Sequence, residues 1–151
     1  MAHSGQPASF EGMRPIEDQN RRMLRARDEM DRAYAEPLDI ERLAKIAFVS
    51  ESHFIRTFKA TFGETPHRYL QRRRVERAMF LLGQTDRSIT DICLDVGFQS
   101  LGTFSRTFRD IVGESPTQYR SHAEQKAVPT CFTMRWMRPS SFGEDGARGT
   151  N

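Results

Sequence analysis

Residues 50–69 read SESHFIRTFKATFGETPHRY, and residues 100–119 read SLGTFSRTFRDIVGESPTQY. The second stretch repeats the first. Ser50, Phe54, Arg56, Thr57, Phe58, Gly63, Glu64, Pro66 and Tyr69 return 50 positions later as Ser100, Phe104, Arg106, Thr107, Phe108, Gly113, Glu114, Pro116 and Tyr119. Upstream the match continues at an offset of 49, where Ile40, Leu43, Ala44 and Ala47 pair with Ile89, Ile92, Cys93 and Val96. One residue has therefore been added in the second copy, near Gln99. A turn is the place where such an insertion leaves both flanking elements intact. Two copies are too few for a solenoid.

Each copy follows one physical plan. Asp39 can cap a short helix carrying Ile40, Leu43, Ala44 and Ala47, and a tight turn follows at Phe48-Val49. In the second copy the turn is Gly97-Phe98-Gln99, and Gly97 permits a left-handed backbone. Ser50 then caps a helix with Phe54, Phe58 and Phe62 in one apolar stripe, and Gly63 closes it. A short helix, a tight turn and a second one-sided helix are the outline of a helix-turn-helix. Thr65-Pro66 opens the next helix, with Leu70, Val75, Ala78 and Leu82 on its buried side. Ahead of both copies, Met23, Ala26, Met30, Ala33 and Tyr34 make an amphipathic helix that Pro37 ends. No strand pattern precedes the C-terminal tail, so the fold class is all-α.

The spacing divides the chain into an irregular tail at 1–18, a helical domain at 19–121, and a C-terminal extension at 122–151. Within the domain, the first helix-turn-helix spans about 38–63, the long helix 65–82, the second helix-turn-helix about 88–113, and a final helix 115–121. In the extension, Phe132, Met134 and Trp136 alternate with Thr133 and Arg135, an extended pattern with one apolar face. The net charge of +3 permits a polyanionic partner without requiring one. Two cysteines, Cys93 and Cys131, make no disulfide framework or zinc motif, and Cys93 sits at a core position. The histidines His3, His53, His67 and His122 are dispersed without metal-ligand spacing. No apolar run approaches the ~18 residues of a membrane span. The expectation is a reduced, intracellular protein with no metal or cofactor and no membrane association.

The faces opposite the phenylalanine stripes carry the candidate chemistry. In the first copy they present Ser52, His53, Ile55, Arg56 and Lys59. In the second they present Leu101, Gly102, Thr103, Arg106 and Arg109. Arg56 and Arg106 stand at equivalent positions, each between two core phenylalanines, where a guanidinium can fork onto guanine O6 and N7. The long helix carries Arg68, Arg72, Arg73, Arg74 and Arg77, a run suited to a solvated face or to phosphates. Ser50, Thr65, Ser100 and Ser115 begin helices whose free N–H groups suit an anion as well as a cap.

The run Ile92-Cys93-Leu94-Asp95-Val96-Gly97-Phe98-Gln99-Ser100, then Phe104-Ser105-Arg106-Thr107-Phe108-Arg109 and Gly113-Glu114-Ser115-Pro116-Thr117-Gln118-Tyr119-Arg120, resembles the AraC/XylS family of bacterial transcription regulators. The first copy matches more loosely through Leu43-Ala44, Ser50, His53-Phe54, Arg56, Phe58-Lys59, Gly63, Pro66 and Tyr69-Leu70. The resemblance covers about 19–121. It implies seven helices, in which the long helix joins two helix-turn-helix units in tandem. It implies a monomer placing two recognition helices in successive major grooves, ~34 Å apart. The partner implied is double-stranded promoter DNA, with RNA polymerase as a protein partner, in the bacterial cytoplasm and nucleoid. The chain looks like the short, stand-alone members without a separate effector domain.

Carried over by position, the base-facing residues are Ser52, Ile55 and Arg56, with Gly102, Thr103 and Arg106. The phosphate-facing set is Ser50, Lys59, Thr65, Arg68, Arg73, Ser100, Thr107, Arg109, Ser115 and Thr117. Ile55 can touch a thymine methyl but not hydrogen-bond a base, and Gly102 offers no side chain. Two competing readings remain on the sequence. One is a protein-interaction module acting through the tail, with Phe132 and Trp136 as anchors. The other is a thiol-dependent DNA-repair enzyme using Cys131, which lacks the proline-cysteine-histidine arrangement of such proteins, so no catalytic residue is assigned.

Overall fold

The structure is a computed structural model and describes residues 14–127. Those residues form seven α-helices and no strand: α1 Pro15–Arg32, α2 Ile40–Ile46, α3 Glu51–Phe62, α4 Pro66–Gln84, α5 Ile89–Asp95, α6 Leu101–Val112 and α7 Pro116–Ala127. This is the tandem arrangement expected from the repeat. Two boundaries differ. α1 begins inside the stretch read as a tail, because Pro15 occupies its first turn and Glu17 reaches back to accept a bond from the Arg14 N–H at 3.3 Å. α7 runs six residues past 121, through a segment of helix-forming Ala, Glu, Gln and Lys that ends just before Pro129. Cys131 and the Phe132, Met134, Trp136 alternation lie outside the described residues.

The described chain falls into two compact units. One holds the residues up to Glu76 together with Asp95–Phe98, and the other holds Arg77–Leu94 together with the residues from Gln99. In the first, α1, α2 and α3 pack on one another around Met23, Ala26, Met30, Leu43, Ala44, Ala47, Phe54, Phe58, Tyr69 and Leu70. Phe54 and Phe58 lie one helical turn apart, with ring centroids at 5.6 Å. Phe58 then meets Tyr69 edge-on at 5.7 Å. The second unit repeats this chain of rings. Phe104 and Phe108 stand at 5.7 Å, and Phe108 meets Tyr119 edge-on at 5.8 Å. Phe62 completes the expected stripe at the edge of the core: half-buried, it meets Phe58 edge-on at 4.6 Å and carries the Arg27 guanidinium over its face at 4.8 Å.

Arginines tie down the ends of the long helices. Arg74 donates through Nε to the Tyr34 carbonyl and through Nη2 to the Glu36 carbonyl, both at 2.7 Å. Burial pulls the Arg74 guanidinium below its ordinary pKa. In the second unit Arg120 does the same for α4, donating to the Leu82 and Thr85 carbonyls at 3.2 Å. Both satisfy carbonyls that a helix end or its exit would leave without a partner.

The two turns solve one problem differently. After α2, the Val49 N–H bonds the Ala44 carbonyl at 3.0 Å and the Phe48 N–H bonds the Lys45 carbonyl at 3.1 Å. This bond pair closes a helix through a left-handed residue, usually glycine. Here that residue is Phe48, at φ 59°. A side chain in that conformation costs about 1–2 kcal/mol. After α5 the equivalent residue is Gly97, at φ 106°. The added residue is Gln99, exposed between buried Phe98 and the Ser100 cap.

Gly97 also has no room for a side chain. A Cβ there would lie 2.8 Å from Arg74 Nε and 2.9 Å from the Ala35 carbonyl oxygen, whereas Gly63 (φ 83°) has open space within 4 Å. Gly97→Ala is therefore expected to lower the urea midpoint well beyond Gly63→Ala, which meets only the left-handed penalty of about 1–2 kcal/mol. Equal losses would show that the close approach to Ala35 and Arg74 does not matter.

Candidate nucleic-acid interface

The ring contacts above fix how each second helix is rotated. With Phe54 and Phe58 turned inward, α3 leaves Ser52, Ile55, Arg56 and Lys59 exposed, and His53 half-buried. With Phe104 and Phe108 turned inward, α6 leaves Gly102, Thr103, Arg106 and Arg109 exposed. All six residues expected to face bases thus lie on the open sides of their helices. Among the described residues, Arg56, Lys59, Arg106 and Arg109 have no acidic partner. Gly102 does more than omit a side chain: a Cβ there would stand 3.6 Å from Arg106 Nη1, so the guanidinium lies back along the helix beside it.

Four of the expected phosphate contacts are caps. The Ser50 hydroxyl accepts from the His53 N–H at 3.2 Å, and Thr65 accepts from Arg68 N–H at 3.2 Å. Ser115 accepts from Gln118 N–H at 3.1 Å while the Gln118 side chain accepts from Ser115 N–H at 3.0 Å. Ser100 accepts from Thr103 N–H at 3.2 Å and donates its own proton to Thr103 Oγ1 at 2.9 Å. The Ser100 hydroxyl has then no proton left for an anion. Thr107 is half-buried and Thr117 exposed.

The arginine run of α4 is not one solvated face. Arg72 grips Glu64 through Nε and Nη2 at 3.0 and 2.7 Å and bonds Glu76 at 2.6 Å. In the second unit the equivalent pair is Glu114 with His122 Nδ1, at 2.8 Å. Arg73 bonds Asp31 at 2.9 Å and Glu76 at 2.9 Å, which neutralises it against two carboxylates. Asp31 also accepts from the Tyr69 hydroxyl at 2.7 Å, and burial with that bond pushes the phenol well above its usual range. Arg68 is half-buried, and Arg77 lies over the exposed ring of Phe80 at 5.0 Å.

One exposed residue of the turn escaped the sequence reading. Phe48 is 71% exposed, although the spacing marked it only as part of a turn. The signal was its pairing with Gly97 across the repeat. Cys93 is buried, its thiol directed at the Ser100 carbonyl at 3.6 Å, and burial raises its pKa. Among the described residues, no cluster of His, Cys, Asp and Glu is placed to hold a metal, and no helix is long and apolar enough to cross a membrane.

This arrangement matches known proteins. Residues 43–122, more than half of the chain, fit the profile of a helix-turn-helix domain family. An HTH-type transcriptional regulator of Haemophilus influenzae is 42% identical over 81 residues, 54% of this chain and 27% of that protein. The MmsAB operon regulatory protein of Pseudomonas aeruginosa is 35% identical over 88 residues, 58% of this chain and 29% of that one. Among solved structures, a transcriptional regulator with an AraC-type DNA-binding domain from Chromobacterium violaceum aligns with a TM-score of 0.65 at 33% identity, covering 70% of this chain and 94% of that chain. The DNA-binding domain of the transcriptional factor AdpA, solved in complex with a target DNA, aligns at 0.65 and 29% identity, covering 69% and 94%. The chain belongs to the AraC/XylS family of helix-turn-helix transcription regulators. It spans less than a third of the length of the two curated relatives named.

The burial of Cys93 sets a test of the fold around the second turn. Its thiol should resist iodoacetamide in the native protein at pH 8 and react freely in urea, read by mass spectrometry of the peptide containing it. Fast native labelling would mean that the packing of α5 against the start of α6 is wrong.

Proposed function

We propose that this chain is a sequence-specific DNA-binding transcription regulator that inserts α3 and α6 into successive major grooves of a promoter site. It acts as a monomer in the bacterial cytoplasm and nucleoid, with RNA polymerase as its protein partner at the promoter. The observation that carries this reading is the set of four exposed cations, Arg56, Lys59, Arg106 and Arg109, without a carboxylate partner among the described residues. They sit in two equivalent pairs on the outward faces of two helix-turn-helix second helices. Elsewhere in the first unit, Arg72, Arg73 and Arg74 are engaged by carboxylates or carbonyls. An unpaired guanidinium in a groove can fork onto guanine, worth about 1–3 kcal/mol of discrimination.

The roles divide by chemistry. Arg56 and Arg106 read base edges, Ser52 and Thr103 assist them, Ile55 meets a thymine methyl, and Gly102 lets the helix and Arg106 approach closely. Lys59, Arg109, Thr107, Thr117 and Arg68 meet phosphates. Ser50, Thr65, Ser100 and Ser115 meet phosphates through the free N–H groups of the helices they cap; the Ser50, Thr65 and Ser115 hydroxyls, which only accept in their caps, can add their own O–H donors, while Ser100 spends its own on Thr103. Arg73 has a structural role, because a phosphate would have to compete with Asp31 and Glu76.

Selection of duplexes from a random-sequence pool, followed by binding measurements, tests the assignment. Arg56→Ala and Arg106→Ala should each relax preference at one base pair, by roughly 5- to 150-fold for about 1–3 kcal/mol. Lys59→Ala should weaken all duplexes alike and lower the salt slope by about 0.9. Arg73→Ala should lower the unfolding midpoint and leave base preference unchanged. If both arginine variants in α3 and α6 keep wild-type affinity and preference, the groove assignment is wrong.

A further inference from the structure

Phe48 combines two features that each need a reason. It holds a left-handed backbone conformation at φ 59°, where the second copy uses Gly97. It also leaves a phenyl ring 71% exposed, the largest exposure among the exposed large apolar residues of the described chain. The helix-closing bonds at Phe48 and Val49 are made by the backbone and need no side chain, which leaves the ring an exposed contact with Arg22. A glycine would make the same bonds without strain. Strain kept in the presence of an easy relief points to a use for the side chain.

The surroundings indicate what the ring meets. The Arg22 guanidinium lies over the ring at 5.8 Å and donates to the Phe48 carbonyl at 3.5 Å. Arg22 also pairs with Asp18 at 2.9 Å, so each of the two charges is offset by the other. The hollow beside the turn is lined by Arg22, Met23, Val49 and His53, together with Pro15, Asp18 and Gln19. The ring therefore stands two residues before the Ser50 cap, next to the hydrogen-bond-donating N–H groups at the leading end of α3. A sugar-phosphate strand offers the complement, an apolar deoxyribose face flanked by anionic oxygens.

We infer that Phe48 is a DNA-contacting residue that packs against the deoxyribose backbone at the edge of the groove entered by α3. The contact is apolar and blind to sequence. It anchors the first copy of the repeat where the second copy has bare Gly97. The inference rests on the DNA-binding reading above and adds to it a residue outside the recognition helix.

The test measures affinity and stability together on the full chain. Duplexes selected by the wild-type protein are bound to Phe48→Gly, Phe48→Asn and Phe48→Tyr, and urea midpoints are recorded for each. Glycine and asparagine tolerate the left-handed conformation, so both variants should unfold at a higher midpoint than wild type. Both should bind about tenfold more weakly, on selected and unrelated duplexes alike, with an unchanged salt slope. Phe48→Tyr should bind like wild type. Wild-type affinity in the stabilised Phe48→Gly protein overturns the inference. So does wild-type DNA binding with lost transcription from a reporter promoter, which would turn the ring toward a protein partner. If the wild-type chain selects no duplex at all, the DNA-binding reading itself fails. That outcome is distinct from a wild type that binds and a variant that binds equally well.

Discussion

The interface depends on a short relay of aromatic rings. In the first unit it runs Phe54, Phe58, Tyr69, and in the second Phe104, Phe108, Tyr119, with matching separations. Two phenylalanines four positions apart cover one side of a helix, and the tyrosine of the following helix locks that side down. Rotation about the helix axis is then no longer free. The residue two places after the first phenylalanine, Arg56 or Arg106, is carried to the opposite side. Core packing in this fold therefore sets which side chains a ligand can meet, and the exposed chemistry follows from buried chemistry.

The arginines show the same logic applied to charge. This chain uses one residue type for several tasks, and its surroundings decide which. Arg74 and Arg120 complete hydrogen bonding at the ends of helices, and their forked donors reach two carbonyls at once. Arg72 and Arg73 join α4 to acidic residues of its own unit. Among the described residues, Arg56 and Arg106 are left without such partners. An ion pair at a surface contributes little to stability, but it takes its arginine out of play for other anions. A count of basic residues therefore overstates the surface available to a polyanion, and the pairing pattern corrects it.

Most of the fold was legible because its signals are local and duplicated. Ser50, Ser100, Thr65-Pro66, Gly63 and Gly113 mark helix ends by chemistry that acts within four residues. The repeat then checked each assignment against a second copy, down to Gln99 as the inserted residue. The helix limits at either end were less legible. Pro15 and Glu17 do form a start signal, but the irregular residues around them masked it, and Ala123 to Ala127 continue a helix that composition alone divided at 121. The outward faces of α3 and α6 could be placed from the period of the phenylalanines. The fate of Arg73 could not, because Asp31 is 42 positions away and no periodicity reports a partner at that distance. The double bonding of Ser100 to Thr103 was hidden for a different reason: a cap position predicts an acceptor, not where the hydroxyl sends its own proton.

The two outward faces are alike in plan and unlike in detail. One reads Ser, Ile, Arg at 52, 55 and 56, and the other Gly, Thr, Arg at 102, 103 and 106. A symmetric dimer of identical readers meets DNA equally well in either orientation, since its site is a palindrome. On the proposed DNA-binding reading, two unequal recognition helices on one chain have no such freedom. Turning the site around would offer each helix the other's base pairs. The divergence of the copies would then give the proposed complex a polarity, a built-in arrow along the duplex.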